Sequence, residues 1–404
     1  MPTRNRTVLV VGAGVAGSAF AHWAARHGFA PTVVDREPRL SSRLSRLEIG
    51  FGGIGVLERM GLLDRLADEV GPPPAVEFRF GEDGDPVRCP APPAEHSLVV
   101  RRDPLLRELR DLTGSDAEFL FGDSVTALRE TPDGVDVEFE NGPPRRFDLV
   151  VGADGLHSTV RDLAFEGTAA DHIHDLGVTV AVFTVPDFTG QHALSTVLVK
   201  PGRGAMLTDI PGEDALEAVL LRRRPYGERD AGRETPEDLA RAFAGDGGEI
   251  PRILDEMSRA DVQIAPTRQV RLDTWSRGRV VLLGNAAFCA DPMSGMDTVL
   301  ALKGAMSLAG ELARVDGDHR AGFFAYEAAM RPHVEHAQRM GEDTVDGAAP
   351  SGGSSGLRVM RTALRAELLA SKVISLFTGG NGIAETGPEF PFERYLPAGE
   401  RGTV

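Results

Sequence analysis

A run of apolar, β-branched residues, Thr7–Val11, is followed at once by the glycine pattern Gly12, Gly14 and Gly17. The run predicts a buried parallel strand, and the apolar stretch after the glycines predicts a helix that ends at Gly28. In such a turn the first glycine permits the tight bend, the second lets the backbone approach a pyrophosphate, and the third lets helix and strand pack closely. The chain is therefore predicted to open with a Rossmann-type dinucleotide site.

The next predicted strand, Pro31–Val34, completes a βαβ unit of about 30 residues. It ends at Asp35, eighteen residues after Gly17. A carboxylate at this point accepts hydrogen bonds from both hydroxyls of a ribose. We therefore expect Asp35 to bind the adenosine ribose, with Ala16 and Arg36 also in contact with the cofactor.

Composition narrows the class of protein. Lys and Arg number 44 and Asp and Glu 60, so the formal net charge of -16 argues against nucleic-acid and anionic membrane partners. Cys89 and Cys289 are the only cysteines, and their separation predicts neither a disulfide framework nor a metal site. No apolar stretch approaches the roughly 18 residues that span a bilayer. We expect a cytoplasmic protein, monomeric or homodimeric, that acts on a small molecule.

A second motif follows a predicted buried strand and contains Asp154, Gly155, Ser158 and Arg161. It resembles the Asp-Gly motif of the class A flavin-dependent monooxygenases, the para-hydroxybenzoate hydroxylase-like family. The resemblance continues over most of the chain in the expected order and spacing. It implies that the dinucleotide is FAD, that Asp154 and Arg161 help to bind its pyrophosphate, and that NADPH or NADH acts as the reductant.

Two further arginines match positions that the family places beside the cofactor. Arg102 begins a predicted helix with an apolar stripe at Leu105 and Leu109, and the resemblance implies that it contacts the flavin or its phosphates. Arg101 is adjacent, so spacing alone favours Arg102. Arg46 matches an arginine next to the flavin.

The third motif is altered. The family pattern is Gly-Asp, then Ala-Ala-His, then Pro-x-x-Gly-x-Gly, and here Asn285, Phe288 and Asp297 replace its Asp, its His and its last Gly. The family's Asp bonds a ribityl hydroxyl of FAD, and Asn285 still offers an amide oxygen but no charge. Asp297 adds a carboxylate near the flavin, which would oppose the anionic reduced form. The expected cofactor contacts at this end are Gly284, Asn285, Pro292, Gly295, Met296 and Asp297.

The predicted fold class is α/β, with a Rossmann-type FAD-binding domain, an inserted mixed β-sheet substrate domain and C-terminal helices. The predicted segments are 1–75, 101–172 and 275–344 for the FAD-binding domain, 76–100 and 173–274 for the substrate domain, and 345–404 for a C-terminal helical segment. A flexible connection is predicted at 347–356.

The expected function is an FAD-dependent, NAD(P)H-consuming monooxygenation of a bulky aromatic or polyketide-like molecule in secondary metabolism. Similarity in size to the compact tetracycline-modifying monooxygenases suggests this substrate class by analogy. No residue is assigned to catalysis. Phe183, Met206 and Phe288 are candidates for an apolar pocket or for the core.

Three alternatives remain at this point. The protein uses FAD without redox turnover, for cyclisation or rearrangement; it binds a flavin or other ligand without turnover; or it is a nicotinamide-only dehydrogenase, which leaves the motifs at Asp154 and Gly284 unexplained.

Overall fold

The computed structural model describes residues 6–38, 46–81, 85–91, 96–167, 169–210, 212–224, 234–369 and 388–400. The strands are β1 (Thr7–Val11), β2 (Ala30–Asp35), β3 (Arg46–Gly50), β4 (Val70–Gly71), β5 (Ala75–Phe80), β6 (Val87–Cys89), β7 (Ser97–Arg101), β8 (Glu118–Phe121), β9 (Val125–Thr131), β10 (Gly134–Phe139), β11 (Arg145–Phe147), β12 (Leu149–Gly152), β13 (Ile173–Pro186), β14 (Leu194–Lys200), β15 (Arg203–Asp209), β16 (Ala215–Arg223), β17 (Gln263–Val270), β18 (Ser276–Arg277) and β19 (Val280–Leu282). The helices are α1 (Val15–Arg26), α2 (Phe51–Arg59), α3 (Leu62–Arg65), α4 (Arg102–Thr113), α5 (Thr159–Ala164), α6 (Ala169–His172), α7 (Pro236–Ala242), α8 (Ile250–Met257), α9 (Asn285–Phe288), α10 (Asp297–Arg314), α11 (His319–Ala348), α12 (Ser354–Leu369) and α13 (Phe392–Tyr395).

A six-stranded sheet in the order β18-β19-β12-β1-β2-β8 forms the frame of the first domain. Its strands pair in parallel, apart from the short antiparallel β18. The central strand β1 is buried from Val8 onward because strands flank it on both sides and helices pack on the sheet. The α/β class and the Rossmann-type unit are confirmed.

A seven-stranded mixed sheet in the order β17-β13-β16-β15-β14-β5-β6 forms the second unit. Helices α7 and α8 cover one face, where Leu239 and Ile253 pack on the cluster around Phe183. The opposite face meets the end of α11 and α12. β7 does not join this sheet, although it overlaps the predicted substrate segment 76–100; it pairs with β3 and β4.

The C-terminal region differs from the expected separate segment. Helix α11 crosses residue 344 without a break and ends at Ala348, inside the predicted flexible connection, because Val345 and Ala348 are buried against the second sheet. After α12, the segment 388–400 returns to the first domain, where Tyr395 and Leu396 join its core. Residues 370–387 and 401–404 of the predicted C-terminal helical segment lie outside the described residues. In the described chain no helix is both long and apolar enough to span a membrane.

Candidate active site

A cleft of about 240 Å³ opens at the carboxyl ends of β1, β2, β8 and β12. The chain leaves β1 toward β2 on one side, while β12 lies on the other side of β1. Parallel α/β sheets bind ligands at such a point, where the strand order reverses. The predicted site residues that meet at the cleft are Gly12, Gly14, Asp35, Arg36, Arg102 and Asp154.

The three glycines of the first turn lie in different surroundings, so each position has its own reason to be glycine. Gly12 has a φ of 106°, and a Cβ there would lie 2.5 Å from the carbonyl oxygen of Ala153. A Cβ on Gly17 would lie 1.9 Å from the carbonyl oxygen of Gly12, so only glycine lets α1 approach β1. A Cβ on Gly14 would meet no protein atom within 4 Å. Gly14, at the N-terminus of α1, therefore borders open space, where a helix N-terminus favours an anion.

The carboxylate of Asp35 closes the same turn. Its Oδ2 accepts a hydrogen bond from the backbone N–H of Ala13 at 2.6 Å, and its Oδ1 accepts one from Glu37 at 2.9 Å. A carboxylate offers about four acceptor positions, so capacity for a ribose remains. The ribose contact itself stays a prediction.

Arg101 and Arg102 are adjacent but lie in different surroundings. Arg101 is exposed and forms an ion pair with Glu69 at 2.5 Å. Arg102 lines the cleft, and its buried Nε has no hydrogen-bond partner within the described residues. Burial lowers the pKa of the Arg102 guanidinium. A partly buried guanidinium whose Nε has no hydrogen-bond partner among the described residues, and which lines a cleft, fits an anionic ligand such as a pyrophosphate.

Asp154 and Arg161 stabilise the second motif through hydrogen bonds. Asp154 accepts hydrogen bonds from the Ser158 hydroxyl at 2.5 Å and from the Val160 N–H at 3.1 Å, which fixes the start of α5. Burial raises the pKa of the Asp154 carboxyl. Arg161 is 1 % exposed and donates to the carbonyl oxygens of Leu156 at 2.8 Å and Ala286 at 2.9 Å. It therefore joins the second motif to the third, and the pyrophosphate contact predicted for it stays untested.

The third motif lies directly behind α1. Gly284 has a φ of 63°, and a Cβ there would lie 2.8 Å from the Cβ of Ala16. Asn285 donates from Nδ2 to Oδ2 of Asp297 at 3.2 Å. The other oxygen of Asp297 accepts the N–H of Ala290 at 3.0 Å. The two family departures, at 285 and 297, thus contact each other.

These features fit FAD. An open helix N-terminus lies at Gly14, and the Arg102 Nε, which has no hydrogen-bond partner among the described residues, belongs to a side chain that lines the cleft. Residues 5–340 match the family described as FAD binding domain. A flavin-dependent monooxygenase from an unidentified prokaryote is 30 % identical over 355 residues, which cover 83 % of this chain and 89 % of the relative. The chain belongs to the class A flavin-dependent monooxygenases.

Two more comparisons agree with this family. An uncharacterized protein of Mycobacterium tuberculosis is 37 % identical over 372 residues, which cover 85 % of this chain and 95 % of the relative. The crystal structure of the tetracycline destructase Tet(55) superimposes with a TM-score of 0.76 at 25 % identity, covering 95 % of this chain and all of that one (100 %). The protein is thus an FAD-binding oxidoreductase, as the sequence predicted.

Of the remaining predicted flavin-side residues of this monooxygenase, Pro292, Gly295 and Met296 lie just before α10, and Arg46 lies on β3. Met296 precedes the helix, and Gly295 adopts the left-handed conformation with a φ of 66°. Pro292 begins the preceding 3-10 turn and is exposed. Arg46, on β3, donates from Nη1 to the carbonyl oxygen of Asp209 at 3.3 Å, so it joins the small sheet β3-β7-β4 to the seven-stranded sheet. Contact of these residues with the flavin stays a prediction.

The suggested apolar pocket of Phe183, Met206 and Phe288 does not form. Phe183 lies under α7 and α8 on the far face of the second sheet. Phe288 is 1 % exposed in the first domain's core, with its ring centroid 4.7 Å from that of Trp275. Met206 alone lies on the sheet face opposite the helices. Side chains alternate between the two faces along each paired strand, so Phe183 and Met206 lie on opposite faces of the second sheet. Phe288 lies in the core of the first domain, apart from both.

Sequence reasoning missed Asp291. Its side chain is fully buried, its φ is 82°, and its carboxylate accepts the N–H groups of Arg268 at 2.6 Å and Met293 at 2.9 Å. Burial raises the pKa of Asp291 to about 7. The available signal was an Asp-Pro pair at the start of a turn, a common position for an acceptor side chain. Asp291 sets the conformation of the turn that leads into α10.

Proposed function

We propose that this enzyme uses NADPH or NADH and O2 to insert one oxygen atom into a bulky aromatic or polyketide-like small molecule. The second oxygen atom leaves as water, and the nicotinamide supplies the two electrons. Bound FAD supplies the redox and oxygen chemistry. The open space at Gly14, with the Arg102 guanidinium lining the same cleft, carries the proposal, because it suits the FAD pyrophosphate.

In this proposal the residues of the chain hold and orient the bound FAD. Asp35 binds the adenosine ribose, and Gly12, Gly14 and Arg102 bind the pyrophosphate. Asn285 binds the ribityl chain, and the turn before α10 lies under the flavin ring.

Arginines around His157 support an anionic reductant, although Asp35, Glu37, Asp123 and Asp154 also line the cleft. His157 lines the cleft, and its pKa is lowered by burial and then by the charges of Arg268, Arg161 and Arg36. Arg36 is exposed at the cleft. In a chain with a net charge of -16, such a group attracts the phosphates of a nicotinamide dinucleotide.

The face of the second sheet opposite α7 and α8, which the end of α11 and α12 cover in part, supports a large substrate with polar groups. Met293, from the turn before α10, packs against this face, so the face lies toward the flavin end. Neighbouring strands place an apolar row and a hydroxyl-rich row on it, two residues apart along each strand. Strand pairing gives the rows as Val182, Val219, Met206 and Val197, and as Thr184, Glu217, Thr208 and Ser195. A polycyclic molecule with hydroxyl or keto groups matches such a wall.

The test begins with FAD-loaded protein, NADPH or NADH, and a polycyclic probe such as tetracycline. The proposal expects substrate-dependent NAD(P)H oxidation and a product 16 mass units heavier that takes its label from ¹⁸O2. Loaded protein that oxidises neither nicotinamide with any polycyclic aromatic probe would contradict the proposed reaction and leave family membership intact.

A further inference from the structure

Asn285 and Asp297 replace two family residues, a carboxylate and a glycine, and they form a hydrogen-bonded pair. The Asn285 amide donates to Oδ2 of Asp297 at 3.2 Å. Its Oδ1 has no hydrogen-bond partner within the described residues, and the side chain is only partly buried. An amide has one donor side and one acceptor side, so the bond to Asp297 turns the oxygen away from α10.

We propose that Asp297 is a positioning residue that holds the Asn285 amide with its oxygen facing the ribityl chain of FAD. The pair then does what the family's single carboxylate at this position does. The inference rests on the proposed path of FAD from Gly14 to α10, and it goes beyond that path by making residues 285 and 297 interdependent.

Among the described residues, every hydrogen-bond partner of the Asp297 carboxylate is a donor. The N–H of Ala290 points at Oδ1 at 3.0 Å, and the Asn285 amide and the Cys289 thiol point at Oδ2, the thiol from 3.9 Å. Burial raises the pKa of the Cys289 thiol, which keeps it a donor. If the Asn285 amide turned over, two acceptor oxygens would meet at about the 3.2 Å now bridged by the hydrogen bond. With Asp297 ionised, its environment therefore favours this one orientation of Asn285.

The same geometry explains why the family's carboxylate does not occur here. An Asp at 285 beside Asp297 would bring two carboxylates to hydrogen-bonding distance, and they cannot both ionise without a large penalty. Exchanging the two side chains removes that conflict. In the N285D/D297N variant, the new amide donates to the new carboxylate while its oxygen accepts the Ala290 N–H.

Four isosteric proteins test the pair: wild type, N285D, D297N and N285D/D297N. The readout is the dissociation constant of FAD, titrated into apoprotein by flavin fluorescence, together with thermal unfolding of each apoprotein. We expect N285D to raise the constant at least about tenfold and D297N to raise it about two- to tenfold, since a charge conflict costs more than one reoriented neutral hydrogen bond. The double variant should bind within about threefold of wild type, because its hydrogen bonds are complete.

The control is D318N. Asp318 accepts the N–H groups of Arg320 and Ala321 at the start of α11, as Asp297 accepts one at the start of α10. It follows the far end of α10, about 27 Å away for 18 helical residues. D318N should lower the unfolding temperature and leave the FAD constant unchanged.

A double variant that binds FAD more weakly than both single variants, or a D297N protein that binds like wild type, would overturn the inference while the proposed function stands. Wild-type apoprotein that does not bind FAD at all would overturn both.

Discussion

Gly14→Ala separates cofactor binding from folding. The structure leaves the space beside the Gly14 Cα empty, with no protein atom within 4 Å of an added Cβ, and its φ of -70° and ψ of -174° suit alanine. The apoprotein should therefore fold normally. If the FAD pyrophosphate approaches this backbone, the new methyl group occupies its place.

Two opposing terms set the stability of the G14A apoprotein. Restricting the unfolded chain stabilises by about 0.4–1 kcal/mol, and alanine is worse than glycine at a helix N-cap by about the same amount. The net change should stay within about 0.5 kcal/mol. For FAD, a displacement of about 1 Å from the helix N-terminus should weaken binding about 100-fold or more, which is about 2.7 kcal/mol.

Gly17→Ala is the matched contrast. An alanine Cβ at position 17 would lie 1.9 Å from the carbonyl oxygen of Gly12. Because that oxygen is a backbone atom and cannot rotate away, α1 must move away from β1. Such overpacking costs about 1–3 kcal/mol or more, and FAD affinity should fall as well. FAD titration and thermal unfolding of both apoproteins check these outcomes. A G14A protein that binds FAD like wild type would refute the placement of the pyrophosphate.

Three further predictions concern other parts of the site and core. Arg102→Met should leave apoprotein stability unchanged or higher and weaken FAD binding about ten- to hundredfold in titration, because it removes a guanidinium whose buried Nε has no partner among the described residues. Arg101→Met, on the surface, should change neither the stability nor the FAD affinity. Asp291 binds its proton more tightly in the folded state between pH 3.8 and about 7, so wild-type stability should fall as pH rises through that window. Urea unfolding should show Asp291→Asn gaining on wild type from pH 5 to pH 8, and a constant difference would contradict the raised pKa. Tyr395→Ala should lower the unfolding free energy by about 3–5 kcal/mol, since Tyr395 is 1 % exposed, whereas Phe324→Ala, at a side chain 78 % exposed, should change it by less than about 0.5 kcal/mol.

The first turn was predictable because its constraints are local. The strand Thr7–Val11, the close contact at Gly17 and the acid at Asp35 all follow from residues within one βαβ unit, whose geometry varies little. The helix at Arg102 and the motif at Asp154 were placed by the same kind of short-range spacing. Contacts of these elements with distant parts of the chain, such as that of Arg161 with Ala286, were not predictable.

The second sheet shows what spacing leaves open. Strand patterns located β13 and β16, yet they did not say which face each apolar side chain takes relative to the flavin end. That depends on which face α7 and α8 cover, and it put Phe183 and Met206 on opposite sides. The C-terminal segment gives a second example. Its glycine-rich sequence near residue 347 predicts a linker, whereas Val345 and Ala348 are buried against the second sheet and α11 continues to Ala348.

By itself, the sequence determined the Rossmann-type unit, the cofactor class and the positions of the family departures. The tertiary structure decided which neighbouring arginine faces the cleft, that Arg161 ties two motifs together, and that Asn285 and Asp297 are partners. The physical reason is range: periodicity and turn chemistry act over a few residues, whereas Asn285 and Asp297 are 12 residues apart and Arg161 and Ala286 are 125 residues apart. Two substitutions that look like separate losses in the sequence are one hydrogen-bonded unit in the fold.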